Sequence, residues 1–235
     1  MTWPGLIPID FLPGPWVLVP LTSAFIFAFC VIGGLALLFW FFDLLDNITG
    51  KGTPVGEGLS DYEYRIAAEG QERTAALALV HDNYVKAGFI EPQHSGVHKT
   101  EHSDQLETRT FVVVRDGLVV ATDTLFLDGP IGLPLDCAFG SVTRDLRRHG
   151  HELCEAGMFA TRERLRPEVL LRLMLMVEEA AKDAGCDMLL TVVHPKHVKF
   201  YLRYQNFVEL ARRDNYPGLA NAPAVLLATE RWQHE

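Results

Sequence analysis

Glu155 lies in Leu153-Cys154-Glu155-Ala156-Gly157-Met158, a run that carries no other charge. A strand of this composition is buried, and burial pushes a carboxyl group toward its neutral form. Such a group could take a proton from an ammonium through water. The same residue paired with an arginine would be structural only. Gly157 is the kind of residue a strand holds at a bulge or where another backbone comes close. His94, His98 and His102 recur at four-residue spacing beside Glu101 and Asp104, which on a helix would make a metal-binding face. Pro92 and Gly96 put them on a loop instead, and no metal is expected. His149/His151 and His194/His197 have no third ligand at a matching spacing. No G-x-S-x-G motif supports a serine nucleophile. Arg144, Arg147, Arg148, Arg162, Arg164 and Arg166 make a local basic patch.

The elements that would position these residues alternate. Tyr62–Ala67 reads as a short strand. From Gly70 to Ala87, Leu77, Val80, Tyr84 and Ala87 share one helical face. Residues 89–108 are polar and irregular. Thr110–Val114 and Leu118–Leu127 are β-branched runs joined by Asp116-Gly117, a strong hairpin signal. Gly129–Pro134 reads as a loop, Ser141–His149 as a short basic helix and Glu152–Ala160 as a strand. Pro167 opens a helix to Ala184 with Val169, Leu173, Met176, Val177, Ala180 and Ala184 inward, and Gly185 ends it. Met188–His194 is a buried strand and Pro195–Tyr204 a helix. Phe207–Arg212 and Ala224–Thr229 are closing strands. This order predicts an α/β fold: a mixed central sheet with helices on its faces.

Ahead of this region the chain changes character. Residues 1–60 hold five charged side chains and the remaining 175 hold 46. No charge occurs from Phe11 to Phe42. A helix over 20–42 would be about 34 Å long, enough to cross a hydrocarbon core of about 30 Å. Pro20 suits a first turn, and Trp16 and Trp40 flank the run where interfacial aromatics belong. No Lys or Arg precedes Lys51, and the run ends in Phe39-Trp40-Phe41-Phe42, which weighs against a cleaved signal peptide. The expected organisation is a lead over 1–19, a transmembrane helix over 20–42, a linker over 43–61 and a catalytic domain over 62–235. The linker holds an Asn47-Ile48-Thr49 sequon, which matters only outside the cytoplasm.

Composition narrows the function classes. In 235 residues, 49% are apolar and 22% charged, which excludes a disordered chain. Lys and Arg number 21 against 30 Asp and Glu, a net charge of −9 that argues against nonspecific nucleic-acid binding. Cys30, Cys137, Cys154 and Cys186 lie far apart, so neither a disulfide scaffold nor a zinc knuckle is expected.

The element order resembles the GNAT-type acyltransferase fold, and five segments sharpen the likeness. Tyr84-Val-Lys-Ala-Gly-Phe-Ile-Glu-Pro92, Asp128-Gly-Pro-Ile-Gly-Leu-Pro-Leu-Asp136 and Leu153-Cys-Glu-Ala-Gly-Met-Phe-Ala160 resemble the long-chain N-acyl amino acid synthases (the FeeM-type group), relatives of the autoinducer synthases. His194-Pro-Lys-His197 with Phe200-Tyr201, and Asn221-Ala-Pro-Ala-Val-Leu-Leu227, complete the set. The resemblance covers about residues 62–230.

What the resemblance implies is transfer of a fatty acyl chain from acyl carrier protein to the amine of an amino acid. The co-substrate would be an acyl-phosphopantetheine on the carrier, or acyl-CoA, with no tightly bound cofactor. Glu155 would be the central-strand acid. Amides at Gly157, Met158 and Phe159 would take the pantetheine or the oxyanion, and Tyr201 would protonate the leaving thiolate. Asn206, where the related pattern has Gly, keeps a left-handed turn accessible. CoA-using relatives carry a glycine-rich pyrophosphate loop between the fourth strand and the next helix. Thr161-Arg-Glu-Arg-Leu-Arg-Pro167 stands there without glycine, so Arg162, Arg164 and Arg166 would dock the acidic carrier instead. Arg109 or Lys99 would hold the acceptor's carboxylate. A cytosolic carrier would place the catalytic domain in the cytoplasm, anchored at a bacterial-type inner membrane. The alternatives are a CoA-dependent acetyltransferase acting on a small amine or protein, and a catalytically silent GNAT-like binding module at the membrane.

Overall fold

A computed structural model describes residues 59–204 and 206–229. The lead, the membrane helix over 20–42, the tryptophans flanking it, the sequon, Cys30 and all but the end of the linker lie outside the described residues. Among the described residues no helix is long and apolar enough to cross a membrane.

Among the described residues, seven strands form one sheet: β1 (Glu63–Ile66), β2 (Arg109–Arg115), β3 (Leu118–Leu127), β4 (Leu153–Thr161), β5 (Met188–Val193), β6 (Phe207–Arg213) and β7 (Ala224–Thr229). Their order is β1-β2-β3-β4-β5-β7-β6, with β4–β5 parallel and every other pair antiparallel. The β2–β3 turn is the predicted one, with Asp116 and Gly117 at φ 51° and 75°, values that favour Asp and Gly at these places. A 3-10 turn at Leu59–Asp61 occupies the end of the stretch read as linker.

Among the described residues, four helices pack on the sheet: α1 (Gln71–Lys86), α2 (Asp136–Arg148), α3 (Pro167–Asp183) and α4 (Val198–Tyr204). Ala76, Leu77, Leu79 and Val80 of α1 and Phe139 of α2 join Val112, Phe126, Leu153 and Leu190 in one core. Val169, Leu173, Val177 and Ala181 of α3 and Val198 of α4 join Phe111, Ala121, Leu125 and Cys154 in the other. Successive strand residues enter opposite cores, as the period of two requires.

Three elements depart from the sequence reading. Helix α2 begins at Asp136, ahead of the predicted Ser141. Phe139 breaks the helical geometry (φ −118°) beside Gly140, which hides the first turn from a periodicity test. Asp136 anchors that turn by accepting from Thr143 and Arg147. In α3, Met174 and Ala181 are buried in addition to the expected residues, Met176 and Ala180 are partly buried against the core, and Ala184 alone of the expected inward set is exposed. The segment after β5 opens as a 3-10 turn, Pro195–His197, before α4. His194 Nδ1 accepts the Lys196 amide and holds that tighter turn. Asn206 does adopt the left-handed geometry, with φ 50°.

The sheet is not closed along its whole length. The β4–β5 ladder pairs Leu153 to Ala156 with Met188 to Thr191 and stops there. Beyond it β4 pairs with β3, and β5 with β7. The two parallel strands therefore part at their carboxyl ends, where α/β sheets take their ligands.

Candidate functional site

The parting falls at a bulge in β4. Thr124 is opposite Gly157 and Thr122 opposite Ala160, so Met158 and Phe159 together face the single residue Asp123. Met158 carries the positive φ, 56°, while Gly157 does not. A non-glycine residue held there is strained, and such strain gathers at functional sites. With no ladder partner on β3 or β5, the Met158 and Phe159 backbones border the gap.

Glu155 lies one residue before the end of the parallel ladder and is 4% exposed. No cation pairs with it among the described residues; its Oε2 accepts the Leu135 amide at 2.8 Å. Burial raises its pKa to about 8, eased by that amide and increased by Asp136. A side chain at Gly157 would come within 3.5 Å of Glu155 Oε1 and of Phe126 Cε2. Glycine there leaves the space beside the free carboxylate oxygen open.

A rigid loop brings Leu135 to Glu155. Arg147 forks onto Asp128 (Nε–Oδ2 2.5 Å, Nη2–Oδ1 3.0 Å) and also reaches Asp136 (Nη2–Oδ2 2.7 Å). Asp136 accepts in addition from Thr143 Oγ1 and the Leu133 amide. Gly132, at φ 73°, has no room for a Cβ against Asp136 Oδ2. Arg147 is held well above the usual guanidinium range by these carboxylates, and Arg147 and its hydrogen bonds hold Asp136 below the carboxylate range. Arg147 therefore drops out of the basic patch: its charge is spent inside the fold, on the loop that serves Glu155.

Other groups border the Glu155 face. Tyr84 at the end of α1, Cys137 on α2 and Tyr216 between β6 and β7 are each raised by burial and further by the Glu155 charge. Tyr216 also hydrogen-bonds Cys137, and its hydroxyl reaches the Pro134 carbonyl at 3.5 Å. The loop after α1 supplies His98, whose ring centroid is 5.1 Å from that of Tyr84, and His102, 6.3 Å from Phe126. Phe126 is the cross-strand partner of Glu155.

The opposite face carries an acid the sequence analysis passed over. Asp123 is 4% exposed and, among the described residues, accepts only the amide of its neighbour Thr124 (2.9 Å). Burial lifts its pKa to about 8. It interrupts Leu118–Leu127 just as Glu155 interrupts β4, so the same test of a lone acid in an apolar strand would have found it. Tyr201 belongs to this side. It is partly buried on α4 against the core that holds Phe111 and Leu125, in edge contact with Phe200 and Phe207, each 5.5 Å between centroids. Burial, then Asp123 and Tyr84, push its hydroxyl above the tyrosine range, so it stays protonated.

The remaining predicted residues fall around this centre. Arg162, Arg164 and Arg166 follow β4 toward α3. Arg162 Nε donates to the Val119 carbonyl and Arg166 pairs with Glu168. Arg148 pairs with Asp145. Lys99 is taken up by Asp104 (3.5 Å), and strand alternation puts Arg109 on the Phe111 face, away from Glu155. Residues 89–108 contain no helix, so His94, His98 and His102 make no helical face. No group of three or more His, Cys, Asp or Glu that could hold a metal occurs among the described residues.

Comparison with known proteins places this arrangement. The family model for the N-acyl amino acid synthase FeeM matches residues 75–230. No curated protein matches the sequence. The structure of FeeM, an N-acyl amino acid synthase from uncultured soil microbes, is similar at a TM-score of 0.64 and 26% identity, over 72% of this chain and 90% of that one. Escherichia coli ElaA (TM-score 0.53, 15% identity, 72% of this chain and 99% of that one) shares the fold. So does an acyl-CoA N-acyltransferase from Pseudomonas aeruginosa (TM-score 0.50, 17% identity, 72% and 98%). The splayed GNAT-like sheet and the match across residues 75–230 lead to one conclusion: the chain belongs to the FeeM family of N-acyl amino acid synthases and is an acyltransferase.

Proposed function

We propose that the protein moves a long-chain acyl group from the phosphopantetheine thioester of acyl carrier protein to the amine of an amino acid. The observation that carries this reading is Glu155: a buried acid without a cation, one residue from the parting of β4 and β5 and beside the open α-carbon of Gly157. At a pKa of about 8 it can accept a proton from an ammonium and release it again. The neutral amine attacks the thioester carbonyl. The carbonyl oxygen takes up negative charge at the bulge, where the Met158 and Phe159 amides serve as donors. As the tetrahedral centre collapses, the C–S bond breaks, Tyr201 gives its proton to the thiolate, and the proton shed by the attacking nitrogen restores the tyrosine hydroxyl.

The carrier is preferred to free CoA because 161–167 lacks the glycines that cradle a pyrophosphate, and Arg162, Arg164 and Arg166 offer charge to an acidic surface. The uncharged run over 20–42 supports a membrane anchor, with the catalytic domain on the cytoplasmic side. A long-chain product partitions to a bilayer at about 0.8 kcal/mol per methylene. The test is full-length protein with palmitoyl-acyl carrier protein and each of the twenty amino acids, read by mass spectrometry. An N-acyl amino acid is expected. No such product from any amino acid sinks the reading, and equal use of palmitoyl-CoA sinks the carrier.

A further inference from the structure

Among the described residues, the buried side-chain polar atoms without a hydrogen-bond partner are His98 Nδ1, His102 Nε2 and the Tyr64 hydroxyl. The two histidines share one loop and one face of the sheet, the face of Glu155. Their backbones are pinned. The His98 amide donates to the Leu77 carbonyl of α1 at 3.1 Å, and the His102 carbonyl accepts from Thr108 Oγ1 at 2.7 Å. Their rings are fixed against Tyr84 and Phe126, at 5.1 and 6.3 Å between centroids. His81 ties the same loop down by accepting the Gln93 amide at its Nε2 (3.0 Å). Two imidazoles are thus held rigidly with a nitrogen buried and unused, an arrangement that costs folding free energy.

The charges around that face narrow what those nitrogens can serve. Two cations on and beside the loop are engaged by carboxylates: Arg73 by Glu69 and Asp104, with the Ser103 carbonyl, and Lys99 by Asp104. Arg147 is held by Asp128 and Asp136, and Arg109 faces the other way. An amine presented to Glu155 by an α-amino acid brings a carboxylate with it, and a carboxylate in this acidic surrounding needs donors. We infer that His98 and His102 bind the α-carboxylate of the acceptor, and so select amino acids over simple amines. This rests on the proposed acyl transfer to an amino acid and adds the group that recognises the acceptor.

The test uses full-length protein and needs no acyl donor in its first arm. Isothermal titration compares an amino acid that is acylated with its α-carboxamide, which keeps the amine and removes the negative charge. The acid is expected to bind about 10- to 100-fold more tightly, the worth of a hydrogen bond to a charged group. Equal binding overturns the inference. In the second arm, His98→Phe and His102→Phe keep an aromatic ring and delete the nitrogen. KM for the amino acid should rise about tenfold or more, with KM for the donor and for the carboxamide unchanged. The melting temperature should hold or rise, because the orphaned nitrogen is gone. Unchanged amino-acid KM in both variants, or equal loss toward acid and carboxamide, overturns the assignment. His98→Gln and His102→Gln, which restore a donor, should recover part of the loss. Failure of this kind leaves product formation by the unaltered protein intact, whereas failure of the underlying reading abolishes it.

Discussion

Among the described residues, each face of the sheet buries one carboxyl group that no cation pairs with, and the neighbours of the two differ. Glu155 and Asp123 are equally hidden and are both lifted to about 8 by burial. Glu155 has an amide brought to it by a loop that Arg147 locks to Asp128 and Asp136, and an open α-carbon beside its second oxygen. Asp123 has the amide of its own neighbour and lies opposite the strained bulge, with Tyr201 within its electrostatic reach. Desolvation tunes both acids alike. In the proposed reaction, access and a prepared partner favour Glu155 over Asp123 for the proton transfer from the amine, and Asp123 acts only through its charge on Tyr201.

The contrast is most directly broken at Glu155. Glu155→Gln keeps an acceptor for the Leu135 amide and should lower kcat/KM by about 10²- to 10⁴-fold, while Asp123→Asn lowers it far less. In the unaltered protein kcat/KM should climb with pH toward a plateau above pH 8, and Glu155→Gln should flatten that limb. If Asp123→Asn removes the limb instead, the roles are exchanged.

Arg147→Ala comes next. It releases the loop that carries Leu135 and leaves Asp128 and Asp136 without their cation. A loss of about 1–3 kcal/mol in chemical denaturation is expected. At permissive temperature it should also shift the pH limb of Glu155, which Asp123→Asn should not do. Gly157→Ala is gentler. The new methyl meets Glu155 Oε1 and Phe126 at ordinary contact distance, so the fold should survive with a melting temperature within a few degrees. Turnover should nevertheless drop about tenfold, because the methyl occupies the approach to the carboxylate.

The smallest effect concerns stability. Both acids hold their protons to about pH 8 in the folded protein, whereas unfolded Glu and Asp release theirs near pH 4. Between these values the folded state binds more protons at these two sites than the unfolded one, so their contribution to stability is full below about pH 4 and is lost as pH rises toward 8. Asp123→Asn and Glu155→Gln should each make that decline shallower, seen as a smaller fall in denaturation midpoint from pH 6 to pH 9.

How far the sequence could be read depended on the kind of signal. β-Branched runs, Asp116-Gly117 and the Pro167–Gly185 bracket located β2, β3 and α3, because each is a local preference of the backbone. The first turn of α2 escaped because its anchor, Asp136 held by Thr143 and Arg147, is made by side chains that meet only in the folded helix. Arg147 was read as surface charge for the same reason: its carboxylates lie 19 and 11 residues away. Asp123 was as visible as Glu155, an acid within an apolar strand. His102 was visible as a metal candidate, and only the fold shows its ring against Phe126 instead.

By itself the sequence determined the alternation of strands and helices, the acid on β4 and the absence of a glycine cradle before α3, since composition and spacing act along the chain. Tertiary structure alone decided which face each acid occupies, where β4 and β5 part, and which arginine is consumed internally. Those depend on register and on contacts between distant segments, and a one-residue slip in register would send each of these side chains to the other face.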